Sequence, residues 1–164
     1  MKNNRPIIDA LGFAQKTQSQ DLRLKLADLP RLTDVSAIVN DVVQANVTGG
    51  IQHDGKSFIE LKILSGLTLT CQRCIGLFDF QINSRSRFII TPTEDELVEI
   101  SQEAQDINMM LAENDLDLIE FVEDELLLAL PMVPLHEEGD CERPQLLDEQ
   151  SDPTNPFSGL RQSS

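Results

Sequence analysis

The chain has 164 residues, a formal net charge of −15 and an isoelectric point near 4.3. This length predicts one domain, and the acidic balance disfavours unaided binding to a phosphate backbone. We expect a cytoplasmic protein, because no apolar stretch approaches the roughly 18 residues of a membrane span. The three cysteines are few and odd in number, which argues against a disulfide framework and favours reduced or metal-bound thiols.

The charge is unevenly distributed along the chain. Residues 1–87 contain eleven Lys or Arg and eight acidic residues, whereas residues 88–142 contain seventeen acidic residues and no Lys or Arg. An acidic block of this kind is usually a solvated face. It could instead be a surface that binds a basic partner.

The first predicted element is a short strand, in which Leu22, Leu24 and Leu26 alternate with Arg23 and Lys25 on the other face. The next apolar segment, residues 34–43, allows two structures. Its apolar side chains recur at helical spacing behind a candidate helix cap, but their β-branched character favours a strand.

Residues 44–90 predict an antiparallel β-meander of four or five strands. Apolar and polar residues alternate there, and turn-forming residues such as Ser65 and Gly66 interrupt the pattern. The "HDGK" sequence predicts a hairpin turn centred on Asp54 and Gly55, which makes His53 a loop residue. Residues 91–114 are mostly polar and acidic, and within them the segment "EDELVEI" predicts a short helix or a mobile loop.

Residues 117–130 contain the clearest helical pattern. Asp117 and Glu120 have the spacing of a capping box, and Pro131 sets the C-terminal limit. The apolar stripe should pack on the sheet, and it comprises Leu118, Ile119, Val122, Leu126, Ala129 and Leu130. The acidic side chains should face solvent or a partner, and these are Glu120, Glu123, Asp124 and Glu125.

These elements together predict an α+β fold. An antiparallel meander, or a partly open barrel-like sheet, would pack against one main C-terminal helix. We expect a single domain at residues 1–142. Residues 143–164 are rich in Pro, Ser, Gln and Asp, which predicts a flexible tail.

Two of the cysteines form a Cys-x-x-Cys motif, Cys71 and Cys74. In a thioredoxin-like site this motif opens a helix, but here it lies between two strand-like runs. A hairpin tip of this kind is typical of a zinc knuckle, in which a tight turn points two thiolates at one metal. His136 and Cys141 lie beyond the predicted helix and could complete a set of four ligands. Alternatively, the thiols are small buried apolar groups and the histidine is a surface residue.

Enzyme signatures are absent from the sequence. It contains neither a glycine-rich phosphate loop nor a His-Glu-x-x-His motif, and no serine sits in a nucleophile elbow. We therefore expect a non-catalytic protein without a small-molecule substrate.

Three segments together carry a family resemblance: "LTCQRC" in mid-chain, "FVEDELLLALPMVPLHEEGDCE" after it, and "NPFSGL" near the end. In this combination the chain resembles the YceD family of large ribosomal RNA subunit accumulation proteins over about residues 40–160. The resemblance implies a cytoplasmic ribosome-biogenesis factor needed for synthesis, processing or stability of 23S ribosomal RNA (rRNA). Its implied partners are the rRNA precursor or large-subunit ribosomal proteins.

The residues that match the family's motifs fall in three groups, Cys71 to Cys74, Glu123 to Glu125, and Pro131, Pro134, His136 and Cys141. Some relatives carry further cysteines after the helix, which resemble a complete zinc set. This chain has only His136 and Cys141 there, which leaves both metal binding and simple packing open.

Two modes of action follow. Arg73, Arg85 and Arg87 could contact RNA phosphates, since Arg85 and Arg87 would share one face of a strand. In the alternative, the acidic set Glu123, Asp124 and Glu125 belongs to an adaptor that recognises a basic ribosomal protein or a nuclease without touching RNA. A third possibility, a ribonuclease, lacks a visible acid–base constellation.

Overall fold

A computed structural model of the chain describes residues 5–34, 38–39, 42–93, 108–137 and 139–141. The predicted tail, residues 143–164, lies outside them, as does most of the polar stretch after residue 93. In chain order the elements are β1 (Ile7–Ile8), α1 (Ala10–Gln15), β2 (Ser19–Leu24), a 3₁₀ turn (Leu26–Asp28), α2 (Pro30–Asp34), β3 (Ile38–Val39), β4 (Val43–Ile51), β5 (Ser57–Thr70), β6 (Leu77–Thr91), β7 (Asn108–Leu111), β8 (Leu116–Asp117) and α3 (Leu118–Ala129).

Within the described residues, the main sheet has six strands and stays open, without closing into a barrel. Its order is β2–β4–β5–β6–β7, and β3 pairs with β5 past the end of β4. All neighbours are antiparallel except β6 and β7, which are parallel. The short strands β1 and β8 form a separate pair. The predicted α+β fold with one main C-terminal helix is therefore confirmed.

The meander contains three long strands between residues 43 and 91, so the prediction of four or five strands is wrong. Ser65 and Gly66 do not form a turn, because β5 continues through them opposite Ile82 and Gln81. A β-carbon on Gly66 would lie 3.1 Å from the Gln81 amide nitrogen. The glycine therefore accommodates a cross-strand side chain instead of reversing the chain.

The predicted hairpin turn between β4 and β5 is confirmed. Gln52 N donates to Lys56 O at 2.8 Å, and Gly55 N donates to Gln52 O at 3.0 Å. Gly55 has a φ of +85°, which only glycine adopts readily. His53 is an exposed loop residue there.

The N-terminal third agrees in part with its prediction. Leu22 and Leu24 are buried on β2, whereas Leu26 leaves the strand and begins the 3₁₀ turn. In the undecided segment at residues 34–43, helix α2 ends at Asp34 and residues 38–39 pair with β5 as a strand. The strand alternative is therefore correct for those two residues.

The hydrophobic core lies between one face of the sheet and the helices. Alternate residues of β5, Ile59, Leu61 and Ile63, are buried in one cluster with side chains of α1 and α3. The backbone of α1 approaches the sheet closely, because a β-carbon on Gly49 would lie 2.7 Å from Phe13 O. The opposite face of β5 carries its charged side chains, Glu60 and Lys62.

Helix α3 begins and packs as predicted. The Asp117 side chain accepts hydrogen bonds from the backbone N–H groups of Ile119 and Glu120, which satisfies two free donors of the first turn. Three residues of its apolar stripe are fully buried, and they are Leu118, Val122 and Leu126. Among the described helices, none has the length and apolar character needed to cross a bilayer.

Candidate metal centre and charged sheet face

The cysteine motif forms the tight turn at the tip of the β5–β6 hairpin. Ile75 N donates to Cys71 O at 2.8 Å, and Cys71 N donates to Gly76 O at 2.9 Å. Ile75 adopts a left-handed φ of +62°, which reverses the chain within a few residues. The turn therefore points the sulfurs of Cys71 and Cys74 in one direction, as the hairpin context predicts.

The segment after α3 returns to this tip. Gln72 N donates to Pro134 O at 2.9 Å, and His136 N lies 3.5 Å from Cys71 Sγ. The His136 ring packs against Phe78 with the ring centroids 5.0 Å apart. These contacts hold the imidazole beside the turn.

The four predicted ligand atoms converge, and all lie within 4.8 Å of one another. The Cys71 and Cys141 sulfurs are 3.6 Å apart. His136 Nδ1 lies 3.3 Å from Cys74 Sγ and 3.6 Å from Cys141 Sγ. A tetrahedral zinc site with the usual bond lengths has S–S edges of about 3.8 Å and S–N edges of about 3.5 Å. The residues present therefore fit a closed, four-coordinate metal ion, and the predicted convergence is confirmed.

The electrostatic environment differs between the two hairpin thiols. For Cys74, a hydrogen bond from the Gly76 backbone acts to lower the pKa, but burial and the neighbouring sulfurs raise it overall. Burial acts to raise the pKa of the Cys71 thiol, but hydrogen bonds from neighbouring backbone N–H groups, that of His136 foremost, lower it overall to about 5. Arg73 Nε donates to Cys141 Sγ at 2.9 Å. Three thiolates and a neutral imidazole would leave a bound Zn²⁺ with one net negative charge, which the Arg73 guanidinium balances.

The other two predicted arginines lie on a different part of the sheet. Arg85 and Arg87 share one face of β6, and both contact the Glu60 carboxylate of β5. The distances to Glu60 Oε2 are 2.9 Å from Arg85 and 2.7 Å from Arg87, and Lys62 Nζ lies 3.4 Å from Oε1. Sequence reasoning missed Glu60 and Lys62, because the predicted turn at Ser65 and Gly66 hid the strand register that places them opposite the arginines.

Glu60 is the buried centre of this group, at 6 % exposure. Burial acts to raise the pKa of its carboxyl, but the hydrogen bonds from Arg85, Arg87 and Lys62 lower it to about 2. The three cations remain about half exposed. We call Lys62, Arg85 and Arg87 the cationic cluster.

The acidic residues of α3 do not form one exposed surface. Glu123 is 4 % exposed, so the expectation that it faces out is wrong. Its Oε1 accepts hydrogen bonds from Arg31 N at 2.7 Å and Leu32 N at 3.2 Å, which caps the start of α2. Asp124 forms an ion pair with the Arg31 side chain, and Glu125 is half-buried. A role of these acids in binding a partner stays a prediction.

The sequence of the β5–β6 hairpin, α3 and the segment that follows α3 also matches a known family. The family described as "Large ribosomal RNA subunit accumulation protein YceD" matches residues 59–162, which include the β5–β6 hairpin, α3 and all four candidate ligands. The chain belongs to this family. It is also 33 % identical over 121 residues to the "Large ribosomal RNA subunit accumulation protein YceD" of Haemophilus influenzae. That alignment covers 70 % of this chain and 65 % of the relative. No solved structure matches.

Proposed function

We propose that the chain is a cytoplasmic ribosome-biogenesis factor that supports the synthesis, processing or stability of 23S rRNA without catalysing a reaction. The observation that carries this proposal is the family match, which spans the metal centre and the cationic cluster together. A metal held by four protein ligands has no open position for a substrate, which favours a structural centre over a catalytic one.

Deletion of the gene tests this function. We expect the ratio of 23S to 16S rRNA to fall in the deleted strain and to recover when the full-length chain is supplied. Electrophoresis of total RNA, with probes for mature and precursor 23S rRNA, measures both quantities. Equal ratios in deleted and intact cells would overturn the proposal.

We further propose that the metal is a structural zinc ion bound by Cys71, Cys74, His136 and Cys141. Three sulfurs and one imidazole nitrogen, spaced like the corners of a tetrahedron, form a donor set that zinc prefers. The bound ion would join the hairpin tip to the segment that follows α3.

The two histidines of the chain provide a matched pair for this test. His136→Asn removes one ligand, whereas His53→Asn alters an exposed loop residue at the β4–β5 turn. We expect about one zinc per chain in the wild type and in His53→Asn, and a large loss in His136→Asn and Cys71→Ser. Elemental analysis of full-length protein purified without chelator measures this. Zinc missing from the wild type, or equally abundant in His136→Asn, would contradict the assignment.

A further inference from the structure

Around Glu60, the sheet face opposite the helices concentrates positive charge in an otherwise acidic chain. Within the described residues, no helix packs on the side of β5 and β6 that bears the cationic cluster, because the buried clusters of α1 and α3 adjoin the other side. Three cations surround one carboxylate, Glu60. This group of side chains therefore has a positive net charge, although the whole chain has a formal net charge of −15.

Glu60 fixes the positions of the two arginines before any ligand arrives. It accepts one N–H group of Arg85 and two of Arg87. Each guanidinium carries five N–H donors in a rigid plane, so most donors of this pair are not used by Glu60. An arrangement of this kind lowers the entropy lost when the arginines bind an anion.

A second contact holds Arg87. Its guanidinium carbon lies 4.6 Å from the centroid of the Phe58 ring, a cation–π distance. The Phe58 ring lies over Gly50 on β4, since a β-carbon on Gly50 would be 2.5 Å from the ring. Gly50, Phe58 and Arg87 therefore form a layered stack in which the glycine provides the space for the ring.

The cationic surface continues toward the edge of the sheet. An open groove of about 530 Å³ runs across the same face from Lys62 to Arg23 on β2. Asp21 also lines the groove, and its carboxylate accepts a hydrogen bond from Asn46 Nδ2 at 2.7 Å. Positive side chains are thus spaced along a path that an extended polyanion could follow.

The described part of this face offers few rings for stacking. Phe58 is its one phenylalanine, Arg87 covers the Phe58 ring, and the imidazole of His53 lies beside them at the β4–β5 turn. Phe88 and Phe121 pack against each other, and Phe13 is in the core. Proteins that bind single-stranded RNA through its bases normally present rings for stacking. This face instead suits contacts with phosphates.

We propose that the face formed by Arg23, Lys62, Arg85 and Arg87 binds the phosphate backbone of RNA without reading its sequence. This proposal rests on the proposed function in 23S rRNA metabolism and names the surface that contacts the RNA. Bidentate donors on a planar guanidinium match phosphate oxygens. Arg73 is not included, because Cys141 Sγ accepts its Nε–H at the hairpin tip.

The test measures binding of the full-length, metal-loaded protein to two labelled RNA transcripts of unrelated sequence, one of them taken from the 23S rRNA precursor. We expect similar affinities for both transcripts and a linear fall of log K with log [KCl]. Arg85→Gln with Arg87→Gln should weaken binding roughly tenfold or more at 100 mM KCl. It should also reduce the slope by about 1.4 to 1.8, the effect of two lost phosphate contacts.

A charge-matched control distinguishes the loss of this face from a general loss of positive charge. Lys16→Gln with Arg31→Gln removes the same two positive charges from exposed positions at the end of α1 and on α2, and should bind RNA like the wild type. Arg85→Lys with Arg87→Lys keeps the charge and should keep the salt slope. Thermal unfolding checks that each variant is folded. If the Arg85→Gln, Arg87→Gln variant does not fold, Lys62→Gln replaces it in the test, with an expected slope change of about 0.7 to 0.9.

Three results of the binding measurements would overturn the proposal: no RNA binding by the wild type at 50 mM KCl, equal losses in the control variant, or a strong preference for one transcript. A photocrosslinking amino acid at the exposed position of Leu64, on the same face, identifies independently what this face contacts in cells. Crosslinks to RNA support the surface, whereas crosslinks to protein alone would assign it to an acidic protein partner and overturn it.

Failure of this surface and failure of the proposed function give different results. If deletion leaves the 23S to 16S ratio unchanged, the function itself is wrong. If deletion lowers the ratio but the Arg85→Gln, Arg87→Gln protein restores it and binds RNA normally, only the surface is wrong.

Discussion

The core beneath the helices and the tip of the β5–β6 hairpin are stabilised in different ways. In the core, side chains such as Ile59, Leu61 and Val122 are fully buried within one large apolar cluster. At the tip, Ile75 and Leu77 are 78 % and 63 % exposed, and four ligand atoms converge instead. The core spreads its stabilisation over many small contacts, whereas the tip concentrates it in a few atoms. A change in the core should therefore unfold the whole sheet, whereas loss of the metal should open the tip before the sheet unfolds.

The largest expected effect comes from placing a charge in the core. Val122→Asp should lower the free energy of unfolding by about 4 kcal/mol or more, because an unpaired carboxylate would be buried there. Leu128→Asp, at a position 78 % exposed on the same helix, is the control and should change stability by less than about 0.5 kcal/mol. Denaturant titration measures both. Equal stability of Val122→Asp and wild type would mean that the helix packs through another face.

Removal of the metal should affect the tip first. In chelator, we expect faster hydrogen exchange at Gln72 N–H, whose bond to Pro134 O depends on the segment held by the ligands. Amides in the middle of β5, such as that of Leu61, exchange only when the whole sheet unfolds, so they should remain the slowest to exchange in chelator. Exchange measured by mass spectrometry, with and without chelator, tests this. Exchange at Gln72 as slow as that at Leu61 in chelator would show that the two regions are not separate.

The buried acid of α3 tests a contact between two helices. Glu123→Ala leaves the N–H groups of Arg31 and Leu32 without their acceptor, which should destabilise the protein by about 1 to 2 kcal/mol. Glu125→Ala, two residues further on, should cost less, because Glu125 is only half-buried. Thermal unfolding of both variants measures the difference. A smaller loss for Glu123→Ala than for Glu125→Ala would contradict the capping role.

The smallest expected effect is a pH dependence from the cationic cluster. The Glu60 carboxyl has a pKa of about 2 in the folded protein, below its ordinary value of 4.5. A lowered acid pKa stabilises the fold above pH 4.5, and this stabilisation is lost as pH falls toward 2. The half-exposed partners limit the effect to about 1 kcal/mol. Glu60→Gln should flatten this part of the pH profile, and an unchanged profile would count against the ion pairs.

The comparison also shows which structural features could be predicted from the sequence. The candidate metal ligands were predictable, because a Cys-x-x-Cys between two strand patterns indicates a hairpin tip, and the spacing of His136 and Cys141 lets them bind one ion together. The start of α3 was predictable from its cap. Both signals are local or depend on rare residue types.

The errors concern contacts between distant parts of the chain. Glu123 looks like any exposed helical acid, because its partners on α2 are 91 and 92 residues away. The predicted turn at Ser65 and Gly66 hid the true register, and with it the pairing of Glu60 and Lys62 with the arginines of β6. The parallel pairing of β7 follows a connection of which only the ends are described, and no local pattern specifies it.

The positions of the four ligands have a consequence for the unfolded chain. Cys71 and Cys141 are 70 residues apart and Cys74 and His136 are 62 apart, so a metal bound to both segments closes a long loop. Keeping this loop closed in the unfolded chain would cost an entropy worth about 4 kcal/mol, so the four ligands hold one ion together only in the folded protein. Mass action then couples metal concentration to folding, and each tenfold rise in free metal above its dissociation constant adds about 1.4 kcal/mol of apparent stability.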